Sequence, residues 1–426
     1  MKRYAKRIAD DLLGRKLQGM GAVLVQGAKW CGKTTTCEQV AKSALYMGDP
    51  KRRKELLDMA SIAVTSLLQG EKPRLIDEWQ VAPVFWDAVR HAVDHADGPG
   101  QFILTGSVVP PKTEEKTHSG TGRISRLTMR PMSLWESGES SGAISLADLF
   151  SGTAPESARA MGRELEETAF LACRGGWPQA VLRKGDVALD LAFDYVDSVA
   201  DEDVSRVDGV KRDPARARRL LRSYARLQGT QANLKAIKFD MAGGGIDAPD
   251  EDTVASYRGA LEKLFVVEDV PAWCPNLRCR TPVRTSGTRC FVDPSVATAS
   301  LGLGPGDLMS DLTAFGFLFE TMAIRDLRVY AETLSGGVAH YRDASGLECD
   351  AVVHLRDGAY GLVEIKLGGD RLVAEGVENL LAFSGKIDVD AMKAPAFRMV
   401  LTAVGDYAYR RKEDGIYVCP LSCLKP

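Results

Sequence analysis

Short apolar runs alternate with stretches of helical periodicity over the first hundred or so residues. Residues 22–26, Ala-Val-Leu-Val-Gln, read as a buried strand and residues 35–42 as a helix. Two further apolar runs, 75–78 and 101–104, end in acidic or hydroxyl-bearing residues. Runs without polar alternation belong to strands covered on both faces, as in a parallel sheet. In the middle of the chain, 220–227, 234–241 and 252–264 carry a helical period, broken at Gly243-Gly244-Gly245. Residues 265–270 and 290–293 read as a strand pair. Three helices and a β-wing predict a winged-helix-like module. In the last third, a buried helix over 315–324 precedes strands at 339–342, 348–354 and 360–366, with Asp357-Gly358 joining the last two as a hairpin. A helix at 372–383 and strands at 397–404 and 416–420 complete a second α/β domain. The pattern predicts an α/β multidomain chain with parts at 1–150, 151–210, 211–304 and 305–426.

Composition narrows this picture only a little. A chain of 426 residues exceeds one ordinary domain, and 45% hydrophobic residues suffice for several cores. Nine cysteines, an odd number in a long chain, suit a reduced, cytoplasmic protein. Cys274, Cys279 and Cys290 lack paired spacing, which argues against zinc. No signal-peptide core follows the charged amino terminus, and no apolar run reaches membrane-spanning length, so no membrane partner is expected. A net charge of −2 gives no global attraction to nucleic acid, but the charge is uneven. Arg206, Lys211, Arg212, Arg216, Arg218, Arg219, Arg222 and Arg226 face only Asp208 and Asp213 within 205–226. Such a stripe can engage DNA phosphates; equally, its arginines can pair with acids of neighbouring elements.

The chemistry is most legible at residues 27–34. Gly27-Ala28-Lys29-Trp30-Cys31-Gly32-Lys33-Thr34 is a complete G-x-x-x-x-G-K-T loop between a strand and a helix. Gly27, Ala28 and Gly32 supply backbone N–H groups for phosphate oxygens. Lys33 meets the β- and γ-phosphates, Thr34 is placed to ligate Mg²⁺, and Thr35, at the start of the helix, is a further nucleotide-binding candidate. The ligands predicted are ATP and Mg²⁺. Asp77 and Glu78 end the second strand; Asp77 would hold the magnesium shell and Glu78 would orient the attacking water. Thr105-Gly106-Ser107 ends the third strand, which puts Ser107 beside the γ-phosphate. A polar stretch, 110–122, reads as a mobile loop. Arg123 and Arg126 behind it are candidates for a charge-stabilising arginine, in cis or across a subunit boundary. Gly175-Gly176-Trp177-Pro178 suits either a turn packing Pro178 on adenine or a plain helix terminator.

Taken in order, the loop at 27–34, Asp77-Glu78-Trp79-Gln80, Leu104-Thr105-Gly106-Ser107, Gly122-Arg123, Pro131-Met132-Ser133-Leu134 and Gly175-Gly176-Trp177-Pro178 resemble the prokaryotic AAA-type ATPases that carry a C-terminal domain of unknown function. Trp30 and Cys31 depart from the small or basic residues common there, at positions that contribute backbone. The resemblance implies an AAA-like P-loop core at 1–150, a helical lid at 151–210, a winged-helix-like module at 211–304 and a distal domain at 305–426. It leaves homo-oligomers and protein partners open.

The distal domain carries a second constellation. Glu364 and Lys366 point to one face of a strand, Asp350 stands on the neighbouring strand, and Glu320 lies upstream on the helix. The pattern resembles the PD-(D/E)xK nuclease core. Asp350, Glu364 and Glu320 would bind metal, and Lys366 would position a water. A cross-strand ion pair is the plain alternative. Two functions follow: an ATPase coupled to a DNA-associated nuclease-like domain, or a nucleotide-dependent protein-binding switch with a silent platform.

Overall fold

The computed structural model describes residues 4–107, 119–243, 249–274, 286–388 and 392–426. Residues 110–118 of the expected mobile loop, Gly244-Gly245 and Cys279 lie outside the described residues. The chain divides into two units. Unit 1 comprises Met1–Pro131, Glu202–Arg212 and Gly259–Phe265; unit 2 comprises Met132–Asp201, Asp213–Arg258 and Val266–Pro426.

Unit 1 is built on five parallel strands: β1 (Ala22–Gln26), β2 (Ser43–Tyr46), β3 (Arg74–Asp77), β4 (Phe102–Gly106) and β5 (Ile124–Thr128), in the order β2-β3-β4-β1-β5. Its helices include α1 (Ile8–Gly19), α2 (Lys33–Glu38), α3 (Arg53–Leu67) and α4 (Phe85–Asp94). β1 and β4 are almost wholly buried, as their unbroken apolar runs require. Leu45, Ile76 and Leu104 pack with Trp79, Phe85 and Trp86 in one core. The Trp79 and Trp86 rings lie 5.1 Å apart. Truncating a ring such as Phe85 to alanine would cost about 3–5 kcal/mol. Helix α1 buries Leu12, Leu13 and Leu17 and packs against β1 and β5. Gln26 pairs in register with both Gly106 and Thr128, and Tyr46 with Asp77. The carboxyl ends of β1, β3 and β4 therefore share one edge, where α/β sheets bind ligands. The helix after the glycine loop stops at Glu38 rather than 42, because the chain must turn into β2 at Ser43.

Unit 2 contains β6 (Ile144–Ser145), β7 (Ser157–Arg159), β8 (Gly337–Arg342), β9 (Glu348–His354), β10 (Tyr360–Lys366), β11 (Phe397–Thr402), β12 (Tyr407–Arg410), β13 (Tyr417–Pro420) and β14 (Leu424–Lys425). Seven of them form a mixed sheet, β7-β12-β13-β11-β10-β9-β8, while β6 and β14 pair in parallel. β8, β9 and β10 are antiparallel neighbours; β10, β11 and β13 run parallel. The predicted strands at 348–354 and 360–366 coincide with β9 and β10. Helices Leu312–Thr333 and Asp370–Gly385 pack on this sheet. Val352, Leu362, Leu380, Phe383 and Val400 form the core beneath the second. β7, far upstream in sequence, adds to the sheet through β12.

The predicted strand pair at 265–270 and 290–293 does not form as strands. Antiparallel bridges join Val267 to Phe291 and Val270 to Thr288. Phe265 takes a left-handed φ of 57°, which breaks extended pairing at its start. Helices Pro214–Arg226, Leu234–Ala242 and Glu251–Lys263 occupy the predicted helical stretches. Among the described residues no helix is long and apolar enough to cross a membrane.

The basic stretch is split between the units at Arg212, and many of its charges are met locally. In unit 1, Arg206 pairs with Glu202, and Arg212 with Asp208 and the Val204 carbonyl. In unit 2, Arg218 bridges Asp197 and Asp201, Arg226 grips Asp240, and Arg222 donates to the Ser300 carbonyl. These acids come from other turns and helices, so pairing with neighbours is the reading the geometry favours.

Candidate nucleotide site and distal carboxylate cluster

The glycine loop joins β1 to α2, and its backbone explains its sequence. Gly27 has φ +148°, and a Cβ there would stand 2.0 Å from the Met129 carbonyl oxygen. Gly32 caps α2 with φ 97°. Both positions need glycine for conformation, and Gly27 also for close approach. Lys33 is buried and folds back across the loop, its Nζ donating to the carbonyls of Gly27 (3.0 Å) and Ala28 (2.8 Å). The Thr34 Oγ1 donates to Asp77 Oδ1 at 2.7 Å. Thr35 is exposed, and its carbonyl caps the Gln39 side chain.

The acidic pair at the tip of β3 is wired to β4. Thr105 Oγ1 donates to Asp77 Oδ1 at 2.6 Å and accepts from the Glu78 amide at 3.1 Å. Ser107 Oγ donates to Glu78 Oε1 at 3.1 Å, and Gln80 Nε2 donates to Glu78 Oε2. Glu78 sits at φ 55°, a left-handed conformation unusual for its side chain and of the kind found at functional sites. Unit 1 thus brings Lys33, Thr34, Asp77, Glu78 and Ser107 to one edge. A hydroxyl and a carboxylate already in contact, Thr34 and Asp77, fit the hard oxygen ligation magnesium takes. Lys29 of the loop pairs with buried Asp203 at 2.5 Å, and Arg7 reaches the loop from α1; neither contact was foreseen, since each spans a long stretch of chain.

Three expected residues fall elsewhere. Arg123 precedes β5, and its carbonyl accepts from the Ala22 amide, at the opposite end of β1 from Gly27. Its guanidinium pairs with Asp94 at 2.7 Å. An arginine there cannot serve the loop of its own chain, because a parallel strand carries it to the wrong edge. Arg126 is exposed in mid-strand opposite Leu24. Pro178 belongs to unit 2, where it opens a short helix. Gly175 ends the preceding helix at φ 70°, and a Cβ there would meet Asp293 Oδ1 at 2.4 Å. Gly176 donates its amide to Asp293 Oδ2, and Trp177 Nε1 donates to Ser295 Oγ. The Gly-Gly turn is accounted for by this buried carboxylate, and the helix-terminator reading suffices.

Unit 2 holds a cavity of about 590 Å³ lined by Glu320, Glu348, Asp350 and Lys366 among others. The Lys366 Nζ lies 2.8 Å from Glu364 Oε2 and 3.3 Å from Asp350 Oδ2. Asp350 Oδ2 also accepts from the Ile365 amide at 2.8 Å. Asn379 Nδ2 donates to Glu364 Oε2 at 3.4 Å. Glu364 is 1% exposed, and its Oε1 has no hydrogen-bond partner. Burial, with Asp350 adding to it, pushes the Glu364 carboxyl up, Lys366 opposing. Burial likewise pushes Glu320 well above the carboxylate range, with Asp350 next in weight. Burial alone would lower Lys366, but Asp350 and Glu364 hold it above its ordinary value. Among the described residues no three His, Cys, Asp or Glu side chains are arranged to share a metal ion. The expected three-carboxylate shell is thus not assembled: the Lys366 ammonium stands between Asp350 and Glu364. The Asp350 carboxylate and the unpartnered Glu364 Oε1 are hard oxygen donors of the type a divalent cation takes.

Known families cover the chain in three segments. Residues 20–137 match a family described as an AAA domain. Residues 165–307 match a domain of unknown function, DUF8612, and residues 315–424 another, DUF4143. No curated protein matches the sequence. Among solved structures, a Walker-type ATPase of Pyrococcus abyssi is similar at 16% identity and a TM-score of 0.43, over 70% of this chain and 96% of that one. Over residues 20–137 the chain is therefore similar to AAA domains, in line with the parallel sheet and the glycine loop found there.

Proposed function

We propose that this chain binds ATP with Mg²⁺ at Gly27–Thr34 and hydrolyses it, and that the nucleotide state governs the carboxy-terminal domain. The observation that carries the reading is the hydrogen-bonded set Thr34–Asp77–Thr105–Glu78 along the shared edge of β1, β3 and β4. Lys33 exchanges the Gly27 and Ala28 carbonyls for the β- and γ-phosphates. Thr34 and Asp77 would hold magnesium, which when bound neutralises phosphate charge. Glu78, held on one oxygen by Ser107 and on the other by Gln80, orients the attacking water and takes up its proton. Loss of phosphate turnover in Lys33→Ala tests this; turnover equal to the parent would overturn it.

For the carboxy-terminal domain the resemblance to PD-(D/E)xK enzymes supports a DNA-associated role, with Asp350 and Glu364 as the metal-holding pair and Lys366 orienting water. The three helices at 214–263 supply a winged-helix-like surface in this reading. A second reading is favoured by specific contacts: Lys366 stands between the two carboxylates, and many arginines of 206–226 are paired with acids. In that reading the domain is a silent platform for a protein partner or a second copy. Incubating purified protein with single-stranded, duplex and branched DNA plus Mg²⁺ or Mn²⁺ separates them. Cleavage lost in Glu364→Gln supports the first; intact DNA supports the second.

A further inference from the structure

We propose that Arg7 is a positioning residue of the nucleotide site, holding a loop amide toward the β-phosphate of a nucleoside di- or triphosphate. The inference rests on the reading of Gly27–Thr34 as a phosphate cradle. Arg7 stands at the amino end of α1 and is 4% exposed. Its Nη1 donates to the Cys31 carbonyl at 2.8 Å and its Nη2 to the Arg130 carbonyl at 2.9 Å. One arm of the fork grips the glycine loop; the other grips the segment leaving β5.

The peptide plane turns this contact into a constraint on the site. In a planar trans peptide the C=O and the following N–H point in opposite directions. Fixing the Cys31 oxygen on the Arg7 side therefore directs the Gly32 N–H away from the guanidinium. Gly32 needs φ 97° to leave that peptide and enter α2, so the plane is set from both sides. A loop amide that is fixed beforehand costs no reordering when phosphate arrives. The main chain beside it is held by separate contacts. Asp10 accepts from the Arg7 amide at 2.7 Å and from the Tyr4 hydroxyl at 2.7 Å, and that hydroxyl lies 2.9 Å from Thr36 Oγ1 on α2. Lysine cannot copy a planar fork that spans two carbonyls.

The test is calorimetric titration of ADP and of AMP into full-length parent, Arg7→Ala, Arg7→Lys and Tyr4→Phe, with folding followed by circular dichroism. Losing a charged hydrogen bond that orients a ligating amide is expected to weaken ADP about tenfold in Arg7→Ala while leaving AMP unchanged. Arg7→Lys is expected to fall between that variant and the parent. Tyr4→Phe, which disturbs the same segment but not the Cys31 carbonyl, should keep the parental ADP-to-AMP ratio. If Arg7→Ala does not fold, Arg7→Lys decides. A parental ratio in the folded Arg7 variants, or an equal loss in Tyr4→Phe, overturns the assignment to Arg7. Failure of the parent to bind ADP would overturn the underlying site as well, and is thereby distinguishable.

Discussion

Replacing Arg325 by methionine would remove the cation from a buried ionic cluster in unit 2. Its guanidinium lies 2.8 Å from Asp293 Oδ2 and 2.7 Å from Asp326 Oδ1, and all three side chains are buried to 2% exposure or less. The carboxylates also accept amides from Gly176 and Leu134, each at 2.9 Å, so the cluster ties together the Gly-Gly turn, the segment after Pro131 and two helices. Burial pushes the Asp326 carboxyl from 3.8 up to about 6, with Arg325 and the Leu134 amide pulling the other way. That displacement corresponds to about 3 kcal/mol. Because the folded value is the higher one, this contribution is present below 3.8 and is lost as pH rises through about 6. Without Arg325 the ionised pair has no counter-charge, and breaking a buried pair this way costs about 3–5 kcal/mol near pH 8. Near pH 5 the cost shrinks, since a protonated Asp326 needs no cation. Urea unfolding followed by the fluorescence of buried Trp177, bonded to Ser295 beside the cluster, reads both conditions. A loss under about 1 kcal/mol near pH 8, or a greater loss near pH 5, would mean that the two carboxylates do not depend on the Arg325 charge.

Three further outcomes are expected. Glu78→Gln keeps Thr105 and Ser107 as partners but loses the proton acceptor, so steady-state phosphate release should fall about 10²–10⁴-fold with ATP affinity retained. Gly27→Ala drives a Cβ into the Met129 carbonyl at 2.0 Å and strains a positive φ, so thermal unfolding should show about 1–3 kcal/mol lost together with weaker nucleotide binding. Glu364 has its folded value raised by burial, so its contribution to stability declines as pH climbs above the ordinary carboxylate range. Glu364→Gln should flatten that decline between mildly acid and mildly alkaline buffers in a denaturation series; a parental slope would contradict the burial argument.

The nucleotide loop was legible in sequence because its parts are contiguous: glycines fix the turn, and Lys33 and Thr34 follow within one helical turn. Asp77 and Glu78 were legible because an apolar run ending in acids marks a buried strand tip. What closes the site was not. Arg7 and the Lys29–Asp203 pair are polar residues with no local signature, and each meets its partner across a long stretch of chain. Arg123 misled because its distance from β4 in sequence says nothing about which end of β5 it occupies. Likewise, the short edge strand β2 carries a polar start and only Leu45 fully buried, too weak a pattern to separate from the helix before it. In unit 2 the alternation at β9 and β10 revealed Asp350, Glu364 and Lys366, whereas Asn379 on the helix above them required the packing to be seen.

In the reading proposed for unit 1, a triphosphate is held by the loop at 27–34 and cleaved with Glu78 as the base. Calorimetric titration of ATP with Mg²⁺ into full-length Glu78→Gln, with and without Lys33→Ala, tests it most directly. One site per chain in the first protein, and none in the double variant, is the predicted result. Absence of ATP uptake by folded protein, or uptake indifferent to Lys33, would contradict it.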